Sequence, residues 1–161
     1  MKSIYLFRHG ETYFSKNEVP YGENELTAHI LPESHTSIEK IGEYLKIQSI
    51  ELALRSEFLR CQETAEIIEK STSMHFEANS LLNEFTETEF DEFKQRMEKL
   101  TEFLMASEKQ HIALCTHGAV IAALKRLLLK KEFVAHHLMY YPKTGEVLKI
   151  KGEKIEEINF N

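Results

Sequence analysis

The sequence predicts an α/β protein, a three-layer α/β/α sandwich whose central sheet is mostly parallel. Three observations carry this expectation. Short apolar runs of strand length alternate with stretches of helical periodicity, the pattern of a sheet covered on both faces. Two of those runs, Ile4-Tyr5-Leu6-Phe7 and Ile112-Ala113-Leu114-Cys115, read as buried strands. Each run leads through one polar residue into a His-Gly step, His9-Gly10 and His117-Gly118, which marks a tight turn at the strand's carboxyl end. Ligands bind at that edge of open α/β sheets.

Residues 3–8 form the first expected strand. Residues 10–35 hold Gly10, Pro20, Gly22 and Pro32 with little periodicity. They read as a long irregular segment, and such loops are usually functional or disordered. Thr36-Ser37-Ile38-Glu39 fits a capping box, and Ile38, Ile41 and Leu45 follow at helical spacing. Residues 50–54 are a second strand candidate. Ser56 is placed to cap a helix running to about residue 70, with Leu59, Ala65 and Ile68 among its apolar positions. Phe90, Phe93, Met97, Leu100 and Leu104 form the stripe of a third helix, and core packing explains that stripe. Residues 111–116 are a strand and 119–129 a helix. Residues 147–150 and 155–160 close the chain as a hairpin around Gly152.

A chain of 161 residues, 42% hydrophobic and 29% charged, is expected to form one domain over residues 1–161. Its net charge of −6 argues against a nucleic-acid partner and means that an anionic ligand must be drawn by a local positive pocket. The first apolar run is too short for a signal sequence or a membrane span. Cys61 and Cys115 lack metal or redox spacing and read as buried reduced thiols in a cytoplasmic protein. The remaining histidines, including the adjacent pair His136-His137, show no zinc-site spacing, so no metal is expected. On a strand, that pair would point to opposite faces.

The chemistry sits in three segments. His9 is a competent nucleophile toward phosphorus when its attacking nitrogen carries no proton, and Arg8 offers a planar fork for phosphate oxygens. Alone, Arg8-His9-Gly10 reads more readily as a surface turn. His117 stands where a helix begins, and a helix N-terminus supplies free N–H groups and a positive dipole end. Gly118 removes a side chain that would block close approach, although a histidine packed at a helix start is also a structural motif. Arg60 lies early on a helix after a strand and can reach the same edge, though most arginines are solvated. Thr12 either donates to a phosphate oxygen or caps its own turn.

These residues carry a resemblance. Arg8-His9-Gly10-Glu11-Thr12, then Ser56-x-x-x-Arg60-x-Gln62-x-Thr64-Ala65, then Thr116-His117-Gly118 resemble, in order and spacing, the signatures of the histidine phosphatase superfamily, the phosphoglycerate mutase-like group. The resemblance implies that fold, here in a short phosphatase-type member. It also implies that His9 forms a phosphohistidine while Arg8, Arg60 and His117 hold the phosphoryl oxygens, with no cofactor. Leu82-Asn83-Glu84 matches the Leu-x-Glu segment that supplies the mutase-like proton donor, which assigns Glu84 as the acid; its other reading is a surface glutamate in an acid-rich stretch. Glu11 could substitute as the acid, but it follows the nucleophile within the signature and is read as shaping the loop. The family's usual Asn is replaced by Ser15, with Asn17 two residues on, so one phosphate contact departs from the pattern.

The expected function is hydrolysis of a small phosphomonoester. A phosphohistidine protein phosphatase is the nearest alternative. Short bacterial members of that kind generally lack the mutase-like Glu. A mutase is less favoured, because only one helix and one strand separate Glu84 from His117, leaving no lid to keep water out. A non-catalytic member binding a phosphorylated partner would have lost core residues that are all present here. The physiological substrate and the oligomeric state are not encoded in any motif.

Overall fold

The computed structural model describes residues 1–161. Its strands are β1 (Ser3–Arg8), β2 (Leu52–Arg55), β3 (Phe76–Ala78), β4 (His111–Thr116), β5 (Glu146–Lys151) and β6 (Lys154–Asn159), and they form one sheet in the order β3-β2-β4-β1-β5-β6. The first four in that order run parallel, and β5 and β6 add an antiparallel hairpin. The helices are α1 (Tyr13–Asn17), α2 (His35–Lys46), α3 (Leu59–Ser71), α4 (Phe90–Ala106) and α5 (Gly118–Leu127).

Alternation along β1 explains the three layers. Ile4 and Leu6 face a core built with Phe93, Met97, Leu100 and Leu104 of α4 and Val120, Ile121 and Leu124 of α5. Tyr5 and Phe7 face the other core, with Ile38, Ile41 and Leu45 of α2 and Cys61, Ala65 and Ile68 of α3. Leu114 of β4 lies fully buried in the first of these. Leu114→Ala is expected to cost about 2–5 kcal/mol through lost transfer energy and a residual cavity, measured as a lower midpoint in urea unfolding.

The register matters most for the site. Arg8 of β1 pairs with Thr116 of β4, and Arg55 of β2 pairs with Cys115. The three strands therefore end nearly level, and His9, Ser56 and His117 leave the same sheet edge. Backbone bonds extend the pairing past the strand ends, from His9 N to Thr116 O (3.1 Å) and from Ser56 N to Cys115 O (3.0 Å).

Several local expectations need correction. Thr36 does not cap α2: that helix starts at His35 with Ser34 at the cap, led in by a 3₁₀ turn over Pro32–Ser34. Ser56 does not cap α3, where Phe58 takes the cap position without a side-chain bond; the Ser56 hydroxyl is used elsewhere. The second strand begins two residues later than expected, and the short edge strand β3 carried too few apolar residues to be seen. His136 and His137 sit on a 3₁₀ turn, Ala135–Met139, with ring centroids 4.2 Å apart, so they do not point to opposite faces. The hairpin closes through Gly152 at φ 61°, the left-handed conformation that a two-residue turn between β5 and β6 requires. No helix is long and apolar enough to cross a membrane.

Candidate active site

The carboxyl edge of the sheet gathers His9, His117, Arg8 and Arg60. The two imidazoles lie 5.3 Å apart between ring centroids. His9, His117 and Arg60 are buried, Arg60 to 1% exposure although its side chain is long and charged. Burying a guanidinium at a strand-end pocket demands strong partners or an anionic ligand.

His9 is held by its own turn. Its Nδ1 donates to the Gly10 carbonyl at 2.7 Å, so in the neutral ring Nε2 is the nitrogen with a lone pair. Gly10 N in turn donates to Thr64 Oγ1 at 2.8 Å, which ties the turn to α3. Burial holds the His9 pKa well below its usual value, and the charges of Arg8 and Arg60 push in the same direction. The ring is therefore neutral near pH 7, with its free lone pair on Nε2.

His117 has the opposite tautomer, and hydrogen-bond bookkeeping shows why. Ser56 Oγ donates its one proton to Asn83 Oδ1 (3.0 Å). The Asn83 amide is fixed in that orientation because Oδ1 also accepts from Glu57 N and Nδ2 donates to Glu57 Oε1. Ser56 Oγ can then only accept from His117 Nε2, at 2.8 Å. The remaining nitrogen, Nδ1, is buried with no partner. Burial, then the neighbouring His9, Arg60 and Arg8, keep the His117 pKa well below its ordinary value. An anionic oxygen arriving at Nδ1 would reverse that balance and favour the imidazolium.

Both arginines also keep a buried, unpartnered Nε–H. Leaving a buried donor unsatisfied costs about 1–3 kcal/mol or more for a charged group, so these atoms mark where an anion would be rewarded. Each guanidinium also has an aromatic neighbour. The Tyr21 ring lies 3.9 Å from the Arg60 guanidinium carbon and the Tyr141 ring 5.0 Å from that of Arg8. Arg60 further donates to the backbone oxygen of Glu25 and to its carboxylate at 3.0 Å. Glu25, Tyr141 and Ser56 carry no sequence signal as site residues; Ser56 alone lies inside a recognised motif, where it reads as a cap.

Glu84 reaches the same place. It lines, with Arg8, Glu11, Ser15, Tyr21 and Tyr141, a cleft of about 860 Å³. Burial pushes its pKa up, against the opposing effects of the Phe85 N–H bond and the two arginines. That favours a carboxylic acid that can give up a proton. Arg96 of α4 fixes the segment that carries it, donating to the carbonyls of Leu81 (2.9 Å), Asn83 (2.7 Å) and Glu84 (3.1 Å) and pairing with Glu87 at 2.7 Å. Arg96 thus braces Glu84 and Glu87, while Glu89, Asp91 and Glu92 of the same acid-rich stretch are exposed.

The outer residues are placed differently. Thr12 and Ser15 form a reciprocal cap on α1: Ser15 N donates to Thr12 Oγ1 (3.1 Å) and Thr12 N to Ser15 Oγ (2.9 Å). Thr12 Oγ1 also bonds Tyr21 OH at 2.8 Å. Capping is thus the role on display for Thr12. Asn17 Nδ2 donates to Tyr13 O on the surface and does not take the place of the expected Asn. A Cβ on Gly118 would come within 2.9 Å of the Tyr141 ring, so the space this glycine leaves is filled by an aromatic wall of the cleft. No group of three or more His, Cys, Asp or Glu side chains converges as a metal ion would require.

The model of the histidine phosphatase superfamily, branch 1, matches residues 4–90. Comparison with curated proteins gives no match. Among solved structures, a putative alpha-ribazole-5'-P phosphatase from Escherichia coli superposes with a TM-score of 0.82 at 19% identity, covering 94% of this chain and 91% of that one. A mycobacterial glucosyl-3-phosphoglycerate phosphatase gives a TM-score of 0.77 at 20% identity, covering 98% and 96%. An alpha-ribazole phosphatase from Shigella flexneri gives 0.74 at 19% identity, covering 92% and 90%. At such identities the likeness is one of fold.

Proposed function

The chain belongs to the histidine phosphatase superfamily, branch 1, and from that premise we propose that it hydrolyses a small phosphomonoester through a phosphohistidine on His9. The observation that carries this reading is the His9 imidazole: buried, neutral, and tautomerically fixed so that Nε2 offers its lone pair beside Arg8 and Arg60.

In the first step His9 Nε2 attacks phosphorus in line. The N–P bond forms as the P–O ester bond breaks, and Glu84 gives its proton to the departing alkoxide. Arg8, Arg60 and His117, which takes up a proton on Nδ1 as the phosphate monoester binds, hold the charge that builds on the phosphoryl oxygens; one such donor is typically worth about 10²–10³ in rate. In the second step water attacks phosphorus, Glu84 takes its proton, and the N–P bond breaks to release phosphate and neutral His9. The cationic side chains already occupy the electrostatic role that metal ions fill in other phosphoryl-transfer sites, so the reaction needs none.

Alpha-ribazole phosphate and glucosyl-3-phosphoglycerate, named for the fold neighbours, are small phosphorylated molecules, which supports a substrate of that size. Only α4 and β4 lie between Glu84 and His117, with no inserted lid to keep water from a phosphoenzyme, which supports hydrolysis over phosphoryl return. A rapid quench with radiolabelled phosphomonoester is expected to trap a phosphoenzyme that is stable in base and labile in acid, with the label on His9. Label on serine, or none with turnover intact, would remove the proposed mechanism.

A further inference from the structure

The two arginines of the candidate phosphate pocket are each covered by a tyrosine ring, and the two rings belong to opposite ends of the chain. Tyr21 comes from the segment before α2. It is anchored by its hydroxyl on Thr12, its face on Arg60, and Phe14 at a ring distance of 4.9 Å. Tyr141 comes from the segment between α5 and β5, its ring lying over Arg8 and against the α5 N-terminus where Gly118 has no side chain. Phe14, Tyr21, Tyr141 and Met139 all line the cleft that also holds Arg8 and Glu84. Tyr141 remains 38% exposed and Met139 74%, so apolar surface at this mouth is left open to solvent.

A phosphoryl group held between Arg8 and Arg60 would send its ester oxygen, and whatever is attached, out past these rings. A sugar can lay a C–H face on such walls, but its hydroxyls gain no partner from them. A planar ring gains both apolar burial and stacking geometry. We propose that the cleft selects phosphomonoesters whose leaving group carries a planar aromatic or heteroaromatic ring, with Tyr141 as the specificity-determining residue. This rests on the phosphatase reading for turnover, but the recognition itself can be measured without it. Lys16 and Lys143 at the rim would add attraction for further anionic substituents, whereas Glu11 and Glu18 there oppose it, so charge beyond the phosphate is not what the mouth reads.

The test uses the full chain and two phosphonates that resist hydrolysis, phenylphosphonate and methylphosphonate, with binding followed by calorimetry. The wild type is expected to bind phenylphosphonate roughly tenfold more tightly. Tyr141→Ala should collapse the ratio of the two Kd values toward one, and Tyr141→Phe, which keeps the ring, should preserve it. Equal affinities in the wild type, or a ratio unchanged in Tyr141→Ala, would overturn the proposal. Turnover of phenyl phosphate is assayed separately. Selective binding without turnover would count against the phosphatase reading and leave ring recognition standing.

Discussion

His9→Ala is expected to lower kcat by on the order of 10⁴–10⁶, the scale seen when a covalent nucleophile is deleted and only binding and charge stabilisation remain. The effect should fall on kcat much more than on KM. Arg8 and Arg60 still present their donors in the variant, and removing an imidazole with a low pKa takes no cation from the pocket. The check is a steady-state assay paired with the phosphoenzyme trap: the variant should show neither turnover nor label. A His9→Ala protein that still turns over at more than about one part in 10³ would mean that another group attacks phosphorus. The fold should tolerate the change, since the imidazole lies at the end of β1 and its one hydrogen bond within the chain is to its neighbour Gly10.

Glu84→Gln should cost about 10²–10⁴ with an ester of a poor leaving group, the usual scale of general acid catalysis. It should cost far less with a phosphoramidate, whose nitrogen is already basic enough to leave protonated. This contrast separates a phosphoester hydrolase from a phosphohistidine phosphatase. If both substrates respond alike, Glu84 is not the acid. The pH profile carries the same information with a definite sign. Activity requires His9 unprotonated, so kcat/KM should rise with pH through the lowered His9 pKa, on the acid side of ordinary histidine. It also requires Glu84 protonated, so activity should fall as pH passes through the raised Glu84 pKa, on the alkaline side of ordinary glutamate. In Glu84→Gln the alkaline limb should vanish and the acid limb should stay.

Much of this site is legible in the sequence because the chemistry is attached to strand ends. One apolar run ending in His-Gly has a plain structural reading, but two such runs pairing in parallel must deliver their histidines to the same edge. The hairpin, the α4 stripe and the β4 strand were legible for a related reason: their apolar positions recur at the period of the element, and burial follows period. Caps were less legible. Thr36 and Ser56 both matched local capping patterns, yet the α2 cap lies two residues earlier, at Ser34, and the Ser56 hydroxyl bonds Asn83 and His117. The Ser56 hydroxyl still accepts from the Phe58 amide, but its other bonds go to residues far along the chain, which a local capping pattern does not contain.

The sequence by itself determined the layered α/β fold, the family, and the identities of Arg8, His9, Arg60, Glu84 and His117 as the residues to examine. All of these depend on spacing along one chain. Only the tertiary structure decided which nitrogen of each histidine is free, that Glu25 and Tyr21 hold Arg60, that Arg96 braces the loop carrying Glu84, and that Tyr141 fills the space left by Gly118. Each of these is a contact between residues far apart in sequence. Hydrogen bonding, ring packing and burial depend on distance and direction in space, and periodicity along the chain encodes neither.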